Sequence, residues 1–99
     1  MGYFVVINEQ GPAWVPSRPM REQEKWAEHA AFVNGLLDDG FVVLGGPIPG
    51  APIHRARLIV RSSSEEAVRA RLADDPWMRM GLLQNVSIEG WDVLVSKDD

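Results

Sequence analysis

The chain has no cysteine, which excludes disulfides, thiolate metal centres and cysteine nucleophiles. Its two histidines stand well apart, and that argues against a zinc site. Positive charge is also scarce: 10 Lys and Arg against 14 Asp and Glu leave a net charge of −4. With no basic cluster, neither nucleic acid nor an anionic membrane surface is an expected partner. Long apolar runs are missing too. The longest, YFVVI and FVVL, are far too short to span a bilayer, so a soluble protein is expected. The opening MGYFVVINE lacks the basic region of a signal peptide. Gly2 does not begin a myristoylation motif, because Val6 stands where Ser or Thr is needed. These absences point to a cytoplasmic protein whose ligand is a small molecule or another protein. What is present is ordinary for a globular protein: 99 residues, 45% hydrophobic and 24% charged. That suits one domain over residues 1–99 with a modest core, which a partner surface would reinforce.

Along the chain, Tyr3 to Asn8 is a β-type run, and EQGPAWVPSRP after it must be an irregular loop. Ser17 is placed to cap the next helix, whose apolar periodicity runs from about Met20 to Asp38 before Gly40 stops it. FVVLGGP reads as a second strand and GPIPGAP as a second loop. From His54 to Arg61 the residues alternate, with Ala56, Leu58 and Val60 to one face and Arg55, Arg57 and Arg61 to the other. SSSEEAVRARLADDP opens with two overlapping capping boxes, Ser62 with Glu65 or Ser63 with Glu66, and Pro76 closes that helix. WMRMGLL adds a short turn. The last run alternates through Val86 and Ile88, then resumes on the other parity through Trp91, Val93 and Val95. A bulge or bend is expected where the phase slips, at Gly90.

The order β-α-β-β-α-β predicts an α+β fold of the ferredoxin-like type, one antiparallel sheet with both helices on one face. Its first two strands are apolar at consecutive positions, as strands covered on both faces are. A homodimer packed sheet face to sheet face is therefore expected.

The segment EKWAEHAAFVNGLLDDG places His29 inside an apolar stripe. At about 100° per residue, Trp26, Phe32, Val33 and Leu36 all fall within roughly 60° of it. Such a histidine is either a packed core residue or the working group of a site, and a carboxylate neighbour favours the second. The candidates are Glu28, Asp38, Asp39, Asp74 and Asp75. Asp38 lies on the far side of the helix and Asp39 at its frayed end. Asp75 precedes Pro76, which holds it at a helix-to-loop corner where it can meet the other helix. Gly45 to Pro47 either brings backbone close to a ligand or makes a turn, and it lacks the Lys and Ser/Thr of a phosphate loop. His54, in a Pro/Gly loop, reads as solvated, and the arginine row as an exposed strand face. Trp14, Trp26, Trp77 and Trp91 serve packing or an aromatic wall for a planar ligand.

Taken in order, YFVVINE, WAEHAAFVNGLLDDGFVVLGGP, DDPW and GLLQNVSIEGW resemble the YCII-related (YciI-like) family over nearly the whole chain. Members are small proteins that form a dimeric α+β barrel from ferredoxin-like subunits. The resemblance implies a pocket with His29 and Asp75 as its catalytic pair and Gly46, Pro47 and Trp77 close by. Trp26 joins these as a substrate-binding candidate. Relatives include an enzyme that removes chloride from a chlorinated hydroxyquinol, and the wider architecture holds muconolactone isomerases and small monooxygenases. The implied activity is proton abstraction from a small cyclic or aromatic substrate, without metal or organic cofactor. His29 would be the base and Asp75 its orienting partner, in a lyase, isomerase or dehydrochlorinase type of reaction. The competing expectation is a non-catalytic dimeric ligand-binding or structural module. Two departures reshape the pocket: the loop Gly11 to Pro19 is long, and EGW replaces a proline often found before the late aromatic.

Overall fold

The computed structural model describes residues 1–97. Its elements are β1 (Gly2–Gln10), a 3₁₀ turn (Met20–Glu22), α1 (Trp26–Asp38), β2 (Val42–Pro47), β3 (Arg55–Ser62), α2 (Glu65–Leu72), α3 (Pro76–Arg79) and β4 (Leu83–Trp91). The four strands form one sheet in the order β2-β3-β1-β4, every neighbouring pair antiparallel. This is the ferredoxin-like arrangement. Strand alternation sends Val6, Val42, Leu58, Val60 and Ile88 to the face where Leu36 of α1 and Val68 and Leu72 of α2 close the core. A second cluster of Trp14, Trp77, Leu82 and Leu83 lies beside it. Among the described residues, no helix is long and apolar enough to cross a membrane.

Several boundaries differ from the sequence expectations. The helix expected from Met20 is broken: after the 3₁₀ turn, Lys25 takes a left-handed conformation (φ 63°) and α1 begins only at Trp26. Ser17 caps nothing, since the N-cap is Lys25 and makes no side-chain bond. The reason lies in Gln23, whose buried amide accepts from Val15 N–H and donates to the Val15 and Arg18 carbonyls. That clamp holds the proline-rich loop and sets where the helix can start. The other end behaves as expected. Gly40, at φ 81°, lets its own N–H reach the Leu37 carbonyl and that of Phe41 reach Leu36, a Schellman stop.

The cap of α2 is Ser64, which accepts from Ala67 N–H at 3.1 Å, rather than Ser62 or Ser63. Pro76 does not close α2, which ends at Leu72; it opens α3, at a position where a missing N–H costs nothing. The expected bulge is at Val86, not Gly90. Ile7 faces Ser87 and Asn8 faces Asn85, leaving Val86 unpaired, while Gly90 sits in register opposite Phe4. Strand β4 ends at Trp91, so Val93 and Val95 belong to no strand and their parity carried no register.

The loop after β1 is tied down at its start. Gly11 N–H donates to the Leu82 carbonyl at 2.8 Å, and Ala13 N–H to that of Gly81 at 3.0 Å. A Cβ on Gly11 would collide with the Gly81 carbonyl, a backbone atom that cannot swing away. Gly11→Ala should therefore cost about 1–3 kcal/mol, measured by urea denaturation. An unchanged midpoint would show that this loop is free to shift.

Candidate active site

Two short pieces of local structure bring the key side chains together. Asp75 is the N-cap of α3, extended because Pro76 follows it (φ −61°, ψ 128°). One of its oxygens accepts Trp77 N–H at 2.9 Å. The same carboxylate meets His29, one turn into α1: Nδ1 lies 2.9 Å from Oδ1 and 2.8 Å from Oδ2. An ionised carboxylate can only accept, so Nδ1 carries the donated proton and Nε2 keeps its lone pair. Asp75 is only 4% exposed; the His29 contact and the cap together offset the cost of burying it.

The ring of His29 is held from below as well. It lies flat on Trp77, with centroids 3.9 Å apart and planes 4° from parallel. Trp77 is fully buried, and its Nε1 donates to the Glu24 carbonyl at 2.7 Å. The imidazole thus has a carboxylate in its plane and an indole under its face, and very little freedom to turn.

Between α1 and the sheet is a cavity of about 320 Å³. It is lined by small residues, Ala30 on α1 and Gly45, Gly46 and Ala56 on the strands; a Cβ on Gly45 would strike the Leu58 side chain. Its polar groups are Asn8, Arg21, His29, Asn34, His54 and Asp75. Trp26 and Pro47 lie in its wall. Gly46 faces Arg57, on the outward parity of the sheet, so it presents backbone only. Trp77 is not in the wall. It backs His29 instead of facing the space, so its expected contact with a ligand is replaced by support of the imidazole. Among the described residues, no cluster of three or more His, Asp or Glu side chains could hold a metal ion.

The remaining carboxylates are engaged elsewhere or apart from the site. Glu28 pairs with Lys25, Asp39 with Arg71 and Asp74 with Arg79, while Asp38 is exposed. The arginine row does face outward: Arg55 pairs with Glu9 at 3.2 Å, and Arg61 covers the Tyr3 ring. Trp91, at the end of β4, is 47% exposed and takes no part in the cavity.

One residue is misplaced by the sequence reading. His54 is half-buried rather than free in solvent, and it lines the cavity. Its ring stacks on Trp14, with centroids 4.4 Å apart and planes within 9°. Its backbone is clamped to Gln10 through two bonds, N–H to the Gln10 Oε1 at 2.8 Å and carbonyl from Gln10 N–H at 2.9 Å. Burial pushes its pKa below 6.5, and a charged His29 nearby pushes the same way. The missed signal was parity, because His54 shares the even face of Ala56 and Leu58.

No family model matches the chain, and the search of curated proteins finds no match. Among solved structures the chain is similar to 5-chloro-2-hydroxyhydroquinone dehydrochlorinase from Burkholderia phenoliruptrix AC1100, in complex with 2,5-dihydroxybenzoquinone. The TM-score is 0.54 and the identity 20%, over 97% of this chain and 98% of that one. The fold is therefore that of a known small-molecule enzyme of nearly the same extent.

The double engagement of Asp75 can be separated by substitution. Asp75→Ala should lose the cap, worth about 1 kcal/mol, and strand the buried His29 N–H, worth about 1–3 kcal/mol more. Asp75→Asn keeps a capping oxygen and should fall between wild type and Asp75→Ala in urea denaturation at neutral pH. Equal losses for both variants would remove the cap from the account.

Proposed function

We propose that this chain is a YCII-related enzyme working by cofactor-free acid–base chemistry on a small cyclic or aromatic hydroxylated substrate. The observation that carries the reading is the His29–Asp75 contact beside a cavity large enough for a single ring. With Nδ1 committed to Asp75, Nε2 is the atom left to accept a proton. A substrate hydroxyl would give up its proton there, and Asp75 would stabilise the imidazolium that forms. The electron pair left on oxygen pushes into the ring. Return of that proton from His29 to a ring carbon completes a tautomerisation; where the carbon carries chloride, loss of a second hydroxyl proton then lets chloride depart and leaves a quinone, so the lyase, isomerase and dehydrochlorinase types share the first step. The similarity to a dehydrochlorinase supports the reading at the level of fold; the residues of this chain support the chemistry.

A thermal-shift and chloride-release screen of chlorinated hydroquinones and phenols, run on wild type beside His29→Ala, tests it. Wild type should be stabilised by ring compounds that fit. His29→Ala should lose turnover by about 10²-fold or more and, by leaving the buried Asp75 carboxylate without its partner, about 1–3 kcal/mol of stability as well. A variant stabilised equally by the same compounds would leave a binding module without catalysis. A variant that loses this stability but keeps its turnover would make His29 a structural hydrogen-bonding residue.

The same reading includes a homodimer joined through the outer face of the sheet. Across that face run Leu44, Ile59 and Val5 in register, flanked by Ile7 and Trp91. Leu44 is 62% exposed, although α1 and α2 already cover the opposite face. A second copy of this sheet would bury such a row. Leu44→Lys should shift the mass seen in sedimentation or light scattering from dimer towards monomer; a wild type that is monomeric at micromolar concentration would refute the dimer.

A further inference from the structure

Two imidazoles share the cavity, and the reading above uses only one. His29 enters from α1, and His54 from the head of β3 on the sheet side. Each is mounted on an indole: His29 lies flat on Trp77, His54 lies flat on Trp14, and the two indoles meet edge to face with centroids 5.6 Å apart at 87°. Two nearly parallel stacks joined at a right angle set the two imidazole planes nearly perpendicular. They cannot sandwich a flat molecule between them. They can address two different edges of it.

The mounting of His54 is built and not incidental. Trp14 is 8% exposed and sits in the long loop that Gln23 clamps through three bonds. Gln10 fixes the backbone of His54 from the other side. Yet among the described residues no protein group bonds either ring nitrogen of His54, whereas Nδ1 of His29 is spent on Asp75. The charged or titratable groups lining the cavity with it are Arg21, His29 and Asp75, and the carboxylate is taken by His29. A neutral imidazole in that position offers one donor and one acceptor to whatever fills the space.

We propose that His54 is a second substrate-contacting residue, hydrogen-bonding an oxygen on the edge of a planar ring opposite the oxygen that faces His29. The substrate class is then narrowed to rings carrying oxygen functions on two opposite edges, such as hydroquinols and hydroxyquinones. The inference rests on the ring-substrate reading of this cavity but not on His29 being a base. Its direct consequence is specificity: a ring with a single oxygen gains nothing from His54. Burial lowers the pKa of this histidine, which favours the neutral form that can both donate and accept.

The test uses 2,5-dihydroxybenzoquinone as a two-edged probe and phenol as a one-edged control. His54→Phe keeps a flat ring on Trp14 and removes both nitrogens. It should weaken the quinone roughly tenfold, the worth of one net hydrogen bond, and change phenol by less than about twofold. Equal weakening of both probes would make His54 a packing residue and overturn the proposal. Imidazole ¹⁵N spectra of wild type with the quinone separate this inference from the reading it extends. Movement of both histidine signals supports both. Movement of His29 alone overturns the role of His54 and leaves the catalytic reading standing; movement of His54 alone does the reverse. If neither signal moves, both fall for this class of ring.

Discussion

Asp75 holds a carboxylate where a carboxylate is expensive. Nearly buried from water, it is tolerable only because His29 shares a proton with it and the Trp77 amide caps it. The dependence runs both ways. Without the carboxylate, His29 has no fixed tautomer, and α1 and α3 lose the bond that joins them over 46 residues of chain. One tetrapeptide, DDPW, supplies most of what is required. Its second aspartate is the partner, its proline forces the extended backbone that turns the side chain back, and its tryptophan lies under the imidazole so gained.

The cavity follows from how α1 sits. Of the thirteen residues of that helix, Leu36 is the one buried. Its first turns stand over Ala56, whose side chain is too short to fill the space beneath. Native interiors close such gaps unless something prevents it. Here α1 is fixed at one end by the left-handed Lys25 and the Glu24 carbonyl bonded to Trp77, and at the other by the Gly40 stop. A helix pinned at both ends cannot settle into the void, and the void persists next to the histidine.

Much of this was readable beforehand, and the parts that were not share a cause. Element order, the sheet and the choice of Asp75 over four other acids came from periodicity, proline geometry and helix phase, all of them local properties. The failures came where a distant group decides a local question. Three consecutive serines all satisfy a capping signature, and which one caps α2 depends on where the chain leaves β3. The periodicity that ran from Met20 was real, but Gln23 had been recruited to hold a loop, and the helix gave way. Val86 is apolar and alternates correctly with Ile88, yet bulges out, because Asn85 is drawn inward to donate to Asn8. His54 was set aside for its Pro/Gly neighbours, although strand parity put it with Ala56 and Leu58. Loop composition describes the backbone; it says nothing about where a stacked side chain ends up.

The unequal treatment of the two histidines has an electrostatic logic. The cavity wall contains one permanent cation, Arg21, and one carboxylate, Asp75. When His29 is neutral those two balance. When His29 holds a proton the wall becomes positive by one unit, and a protonated His54 would add a second charge in poorly solvated space, which burial and repulsion both oppose. So Asp75 can compensate charge on His29 alone, while burial and repulsion hold the His54 pKa down. A hydroxylated ring that surrendered a proton to His29 would be left anionic in a wall that had just turned positive. On the proposed chemistry that transfer would be helped by its own product, which requires only that the carboxylate serve one imidazole and not the other.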